Sequence, residues 1–282
     1  MARDSDLAVC FDTLIASSRL KRADARLLLE VACGRPREWL IAHGDESPPD
    51  AVAIEYKRLE AERLAGTPLA YLTGEREFYG LRLSVTPAVL IPRIETEMLV
   101  ALVVENTPQN SSILELGTGS GAIAIAIAIE RPDLQVTATD VSEQAIVVAQ
   151  SNACRLGARV RFLTGSWWGA VARHDKFASI VSNPPYLALN DEHLALGDLR
   201  FEPQIALASG PAGLNAIEAI ISGVQNHLVP GGRLFIEHGW QQAGAVQAVM
   251  ARAELEEVRT LQDDQGHWRV TMARTPQPKT VV

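Results

Sequence analysis

Ile113-Leu-Glu-Leu-Gly117-Thr-Gly119-Ser-Gly121-Ala-Ile-Ala-Ile-Ala-Ile-Ala-Ile129 decides the fold of this chain. Its first four residues, three of them apolar, read as a short strand, and three glycines at alternate positions let the backbone turn sharply after it. The last eight residues alternate with period two, which on pattern alone is another strand. Position overrides pattern: after a strand and a glycine turn an α/β chain makes its crossover helix. As a helix the segment carries Ile on opposite sides, so it is expected to be buried almost all round. The glycines also let a ligand approach the backbone at the carboxyl edge of a sheet, where open α/β sheets bind their ligands.

Outward from this stretch the alternation continues. Strands are expected at 135–139, 160–163, 177–181 and 233–237 and near Val258 and Val270, with helices at 142–156, 214–226 and 241–251 between them. Such alternation predicts a mostly parallel sheet with helices on both faces. Upstream, a helix begins near Ile94 and runs through Glu97, Met98, Leu99 and Leu102. Before it, 78–85 reads as two short strands around a turn, and Pro87 and Pro92 punctuate the stretch that leads into the helix. The N-terminal part is helical. One helix places Leu27, Leu28 and Val31 on its apolar face and stops at Gly34; a second spans 50–64 and closes at Gly66. The expected organisation is a small helical bundle over 1–73, a β-hairpin connector over 74–92, an α/β unit over 93–274 and a disordered tail over 275–282, where Pro276 and Pro278 stand.

Composition narrows the function classes. Of 282 residues 47% are hydrophobic and 21% charged, the balance of a globular chain. A formal net charge of -8 argues against a broad nucleic-acid-binding surface. Cys10, Cys33 and Cys154 are widely spaced, which fits reduced thiols better than a disulfide framework. His43, His174, His193, His227, His238 and His267 show no metal-ligand spacing, so no metal site is expected. The N-terminus carries acids where a secretory signal has basic residues, and the longest apolar run, 122–129, is too short to cross a bilayer. The expectation is a cytoplasmic protein that does not contact membranes.

Two motifs carry chemistry. The loop Gly117, Thr118, Gly119, Ser120 and Gly121 is followed, about twenty residues on, by Asp140 at the end of the next strand. A carboxylate there can accept both hydroxyls of an adenosine ribose. A dinucleotide fits this corner, and so does S-adenosylmethionine. The second motif, Asn183-Pro184-Pro185-Tyr186, follows the strand at 177–181. Two prolines offer no N–H and cannot continue a sheet, leaving a stiff turn lined with acceptors: the Asn183 side-chain oxygen and the carbonyls of Asn183 and Pro184. With the Tyr186 ring beside them, they suit a planar NH2 group. Hydride transfer has no evident need of such a corner, so the pair of motifs favours S-adenosylmethionine.

These residues resemble the class I S-adenosylmethionine-dependent methyltransferases that act on exocyclic or amide nitrogen. Leu90-Ile-Pro-Arg93 with Glu95 and Glu97, and Arg200-Phe-Glu-Pro203 followed by Ala206-Leu207, further resemble the release-factor glutamine methyltransferases (the HemK/PrmC family) from the helical N-terminus to about Thr271. The resemblance implies a Rossmann-like sheet and N5-methylation of the glutamine in the Gly-Gly-Gln motif of bacterial peptide-chain release factors. S-adenosylhomocysteine would be the second product, and no direct nucleic-acid binding is expected. It implies that Asn183, Pro184 and Tyr186 act in catalysis, that Pro185 joins them in holding substrate, and that the glycine loop, Asp140, Trp167 and Asn183 hold cofactor. Two departures stand out: Ile94 where the family usually has proline, and Ser166 where it usually has an Asp facing the adenine region. Trp167 rather than Trp168 takes the cofactor-lining place by this resemblance. Arg93, Glu95 and Glu97 are weaker pocket candidates, Arg200 and Glu202 are expected to brace the adjoining loop, and Glu115 either reaches the cofactor or accepts loop N–H groups. The rival readings are a nucleic-acid adenine-N6 methyltransferase, whose target amine presents the same two hydrogens, and a silent binding module.

Overall fold

The computed structural model describes residues 9–277, and the chain divides into two compact units, Met1–Gly74 and Glu75–Val282. The acidic residues at the extreme N-terminus and the tail from 278 lie outside the described residues. Thr275, the expected start of a disordered tail, is instead anchored: its N–H donates to the Gly232 carbonyl at 2.9 Å and its hydroxyl to the Val229 carbonyl at 2.7 Å.

The first unit packs α1 (Phe11–Ala16), α2 (Arg22–Cys33), α3 (Arg37–Ala42), α4 (Asp50–Leu64) and α5 (Leu69–Thr73). Gly34 caps α2 in the left-handed conformation, as its position after the last apolar residue suggested. The buried face of α2 differs from the expected one. Leu27 and Val31 are 37% and 39% exposed, whereas Ala25, Leu28 and Leu29 are fully buried. Those three stand at i, i+3 and i+4, the spacing that shares one helical face. They meet Phe11, Leu40, Tyr56 and Leu59 in the core of this unit.

The second unit opens with a hairpin of β1 (Glu75–Phe78) and β2 (Leu81–Ser84). Tyr79 and Gly80 form its two-residue turn, both at positive φ (52° and 71°), which matches the twist of the flanking strands. Phe78 and Leu83 are buried in the same apolar cluster as the central sheet. The hairpin is therefore built into this unit's core, where the sequence suggested a connector.

The sheet has seven strands: β3 (Ser112–Leu116), β4 (Gln135–Asp140), β5 (Val160–Thr164), β6 (Phe177–Ser182), β7 (Leu228–Glu237), β8 (Glu256–Gln262) and β9 (Trp268–Arg274). Their order is β5-β4-β3-β6-β7-β9-β8, parallel except that β9 runs antiparallel to both neighbours. Helices α6 (Glu97–Asn106), α7 (Ala122–Glu130) and α8 (Glu143–Leu156) contribute to one core cluster, and α9 (Asn215–His227) and α10 (Ala243–Arg252) to the other. The expected doubly wound architecture is present. The alternating Ala-Ile segment is α7, and Ala124 through Ile127 are wholly buried. Crossover geometry outweighs period-two patterning there because both sides of the helix are covered.

Candidate active site

Strand order reverses at β3, whose neighbours β4 and β6 receive connections on opposite sides, and this opens a crevice at the carboxyl ends of the three strands. A cavity of about 380 Å³ lies there, within the range of small-ligand sites. Gly117, Thr118, Gly119, Ser120, Asp140, Ser166, Trp167, Asn183 and Pro185 all line it.

The loop after β3 is held by backbone bonds. The N–H groups of Gly117 and Thr118 share the Thr139 carbonyl, each at 2.9 Å. Asp140 grips the loop from the side: Oδ2 accepts from the Gly119 N–H at 2.9 Å, and Oδ1 from the Ser142 N–H at 2.9 Å. Gly121 does not face the cavity. It sits behind it at φ 84°, where a Cβ would lie 2.8 Å from Ile125 Cδ1 and 3.1 Å from Ala149 Cβ, so α7 and α8 approach too closely for a side chain. Trp167 has a left-handed φ of 43°, uncommon for an aromatic residue, and its ring edge lies 3.6 Å from where a Gly117 Cβ would be. Trp168 points elsewhere: it donates to the Ala219 carbonyl at 3.0 Å and stacks on His227.

At the end of β6, Asn183 donates through Nδ2 to Thr96 Oγ1 at 3.1 Å, leaving its side-chain oxygen to accept. Pro184 is buried, and the half-buried Tyr186 packs against the apolar core, so neither forms the cavity wall. Burial and the nearby Glu237 charge push the Tyr186 phenol well above its ordinary value. Its carbonyl accepts from Gln242 Nε2 at 2.9 Å, which fixes the turn from behind.

Of the weaker candidates, Arg93 lines the cavity and pairs with buried Glu202, whose other oxygen accepts from the Ile91 N–H at 3.1 Å. Glu202 thereby ties the 91–93 segment to the 199–206 loop. Glu97 serves the hairpin instead, accepting from the Tyr79 N–H at 2.7 Å. The Arg200 guanidinium lies over the Phe201 ring, 4.7 Å from its centroid. Glu115 is wholly buried and lines the cavity. Its Oε2 accepts from Thr118 Oγ1 at 2.6 Å and the Ala124 N–H at 3.1 Å, while Oε1 has no hydrogen-bond partner among the described residues.

Burial pushes the carboxyls of Glu115 and Glu237 up to about 7. Between the ordinary value of 4.5 and about 7 the unfolded chain has released protons that these folded sites retain, so their contribution to stability falls as pH rises through that window. Glu115→Gln should flatten part of that decline in thermal unfolding measured from pH 4.5 to 7.5. An unchanged slope would show that Glu115 titrates normally.

Sequence reasoning missed three residues here. Asn152, fully buried, accepts from the Ser84 N–H at 2.8 Å and donates to the Ser84 and Ser120 carbonyls, both at 2.9 Å, clamping the hairpin to the glycine loop. A lone amide on the inner face of α8, beside Ala145, Ala149 and Ala153, was the available signal. Thr96 and Glu237 look in the sequence like an ordinary helix-start threonine and a strand-end acid. Only the fold shows them beside Asn183.

The comparisons agree with this geometry. A family model described as the methyltransferase small domain matches residues 94–201, and one described as the PrmC N-terminal domain matches 12–74. A release factor glutamine methyltransferase of Bordetella pertussis is 47% identical over 260 residues, covering 92% of this chain and 96% of that protein. One of Neisseria gonorrhoeae is 44% identical (94% and 97% covered), and one of Escherichia coli 43% (92% and 94%). Among solved structures, a methyltransferase from Pyrococcus furiosus shares the fold with a TM-score of 0.54 at 19% identity, covering 78% of this chain and 99% of that one. With identity of this level across more than nine-tenths of both chains, this protein belongs to the release factor glutamine methyltransferase family.

Proposed function

We propose that this chain transfers a methyl group from S-adenosylmethionine to the side-chain nitrogen of the glutamine in the Gly-Gly-Gln motif of bacterial peptide-chain release factors, with S-adenosylhomocysteine as the second product. The observation that carries the reading is Asn183: its amide nitrogen is held by Thr96, its oxygen is left to accept, and it shares one cavity with the glycine loop and Asp140.

The cavity residues fit the cofactor. Gly117 and Gly119 would let it approach the backbone, the Asp140 carboxylate would take the ribose hydroxyls, and the flat Trp167 ring would form a wall. Ser166 stands where the family usually carries an acid, and supplies a hydroxyl there. Bound S-adenosylmethionine supplies an electrophilic methyl group.

The protein's part is orientation. A primary amide nitrogen is a poor nucleophile because its lone pair is delocalised into the carbonyl. Accepting one of its hydrogens on the Asn183 oxygen turns that lone pair toward the cofactor and stabilises the positive charge that develops on nitrogen. Pro185 contributes wall, and Tyr186, packed behind it, steadies the turn through its carbonyl bond from Gln242. The helical unit ending at Gly74 grips the protein substrate, and the reading implies a cytoplasmic enzyme without membrane or direct nucleic-acid contacts.

Incubation with labelled S-adenosylmethionine and a bacterial release factor tests this. Label should enter the wild-type factor and not one whose Gly-Gly-Gln glutamine is replaced. Label on DNA but not on protein would favour an adenine-N6 methyltransferase instead.

A further inference from the structure

We propose that Gln242 is a positioning residue for methyl transfer, holding the Asn-Pro-Pro-Tyr turn so that the Asn183 oxygen faces the substrate amide; this rests on the acceptor role given to Asn183 above. Gln242 stands just ahead of α10, half-buried, and does not line the cavity. Its side-chain amide reaches three separate stretches of chain. Oε1 accepts from the Gly239 N–H at 2.9 Å, and Nε2 donates to the Tyr186 carbonyl at 2.9 Å and to the Ala212 carbonyl at 3.2 Å.

A primary amide offers one carbonyl oxygen and two N–H donors, and here all three functions meet backbone. Turned over, the group would set its oxygen against two carbonyls and its NH2 against an N–H, so the surroundings impose one orientation. The base of the side chain is fixed too. The Gln242 N–H donates to the Gly239 carbonyl at 2.8 Å, and its own carbonyl accepts from the Val246 N–H at 2.9 Å. Val246 and Met250, both fully buried, hold α10 against the core.

The turn needs such an anchor. Pro184 and Pro185 have no N–H for a neighbour to hold, so the turn is fixed from its ends. Upstream, Ser182 closes β6, and its hydroxyl donates to the Leu116 carbonyl at 2.6 Å. Downstream, the Tyr186 carbonyl is caught between Gln242 and Gly213. Gly213 has a φ of 71°, and a Cβ there would lie 2.0 Å from the Tyr186 oxygen. The next residue joins the neighbouring loop: the Leu187 N–H donates to the Leu207 carbonyl and its carbonyl accepts from the Ser209 N–H, each at 2.9 Å. Gln242 ties that same loop to α10 through Ala212, so its loss loosens turn and loop together. Two successive prolines with locked φ make the span from Asn183 to Tyr186 stiff. A shift of the Tyr186 carbonyl is therefore passed to the backbone from which Asn183 projects.

The test is single-turnover methylation of a release factor by the full chain at saturating cofactor, with cofactor affinity measured by calorimetry and the folded fraction by thermal unfolding. Gln242→Met keeps the length and removes all three hydrogen bonds. It should lower the rate roughly 10- to 100-fold, the effect of misplacing a group by about 1 Å. Cofactor affinity should stay within about twofold, as expected of sites that share no partner. Gln242→Glu keeps the acceptor for Gly239 but turns an oxygen toward both carbonyls, and should lose at least as much. The double variant discriminates. In Asn183→Ala the amide to be positioned is gone, so adding Gln242→Met should lower the rate by less than about twofold more. A residue that only maintained the fold would impose its full loss in either background. A wild-type rate in Gln242→Met beside an impaired Asn183→Ala overturns the inference and leaves the reading of Asn183 standing. Losses that multiply in the double variant, or an equal loss of cofactor affinity in Gln242→Met, overturn it as well. Full activity in Asn183→Ala overturns that reading, and the inference with it. Should Gln242→Met not fold, Gln242→Glu takes its place in the same cycle and the same outcomes decide.

Discussion

Asn183→Ala is expected to lower kcat for release-factor methylation by roughly 10²–10³-fold, the cost of removing one preorganised partner of developing charge in an enclosed site. The substitution removes the oxygen that accepts a substrate N–H, but leaves the glycine loop, Asp140 and Trp167 in place on other strand ends. Cofactor affinity should therefore stay nearly unchanged. The Thr96 hydroxyl loses its Asn183 partner, a deficit that solvent entering the vacated space can relieve. Single-turnover methylation of a release factor at saturating cofactor, with calorimetric titration of the cofactor, separates the two effects. Turnover near wild type would remove Asn183 from the mechanism. A parallel collapse of binding would make it a cofactor residue only.

Asp140→Ala should fail in the opposite way, losing cofactor affinity by about 100-fold. Each hydrogen bond to a charged group is worth about 1.5–3 kcal/mol, and Asp140 already accepts two from backbone N–H groups, Gly119 and Ser142. Its loss releases the loop from the next helix and removes the proposed acceptor of the ribose hydroxyls. Titration with S-adenosylmethionine reads the affinity, and thermal unfolding with and without cofactor reads how much of the loss is loop order. Binding within a few-fold of wild type would show that Asp140 serves only to hold the loop.

Much of this was legible in the residues. The Gly-rich turn, the alternation of strands and helices, and the Asn-Pro-Pro-Tyr sequence each impose local chemistry that survives any tertiary context, because φ freedom, missing N–H groups and apolar runs are properties of the chain itself. Where packing rather than propensity decides, the reading was less accurate. The apolar face of α2 turned from Leu27 and Val31 to Ala25 and Leu29 because neighbouring helices determine which of several leucines is covered. The hairpin looked detachable, but Phe78 and Leu83 are inside the sheet's core. Tyr186, expected beside its prolines at the pocket, packs against the core behind the cavity wall, since the turn swings it toward β7 and Gln242.

The class of fold, the loop that meets a ligand and the acceptor-rich strand end are each written in consecutive residues, and the primary structure was enough to specify them. Tertiary packing was needed to bring Thr96 and Asn183, separated by tens of residues, into hydrogen-bond contact, and to make Asn152 lock the hairpin to the glycine loop. The reason is physical: strand register and burial bring these groups together and exclude water from them, and neither register nor burial is a property of any one segment.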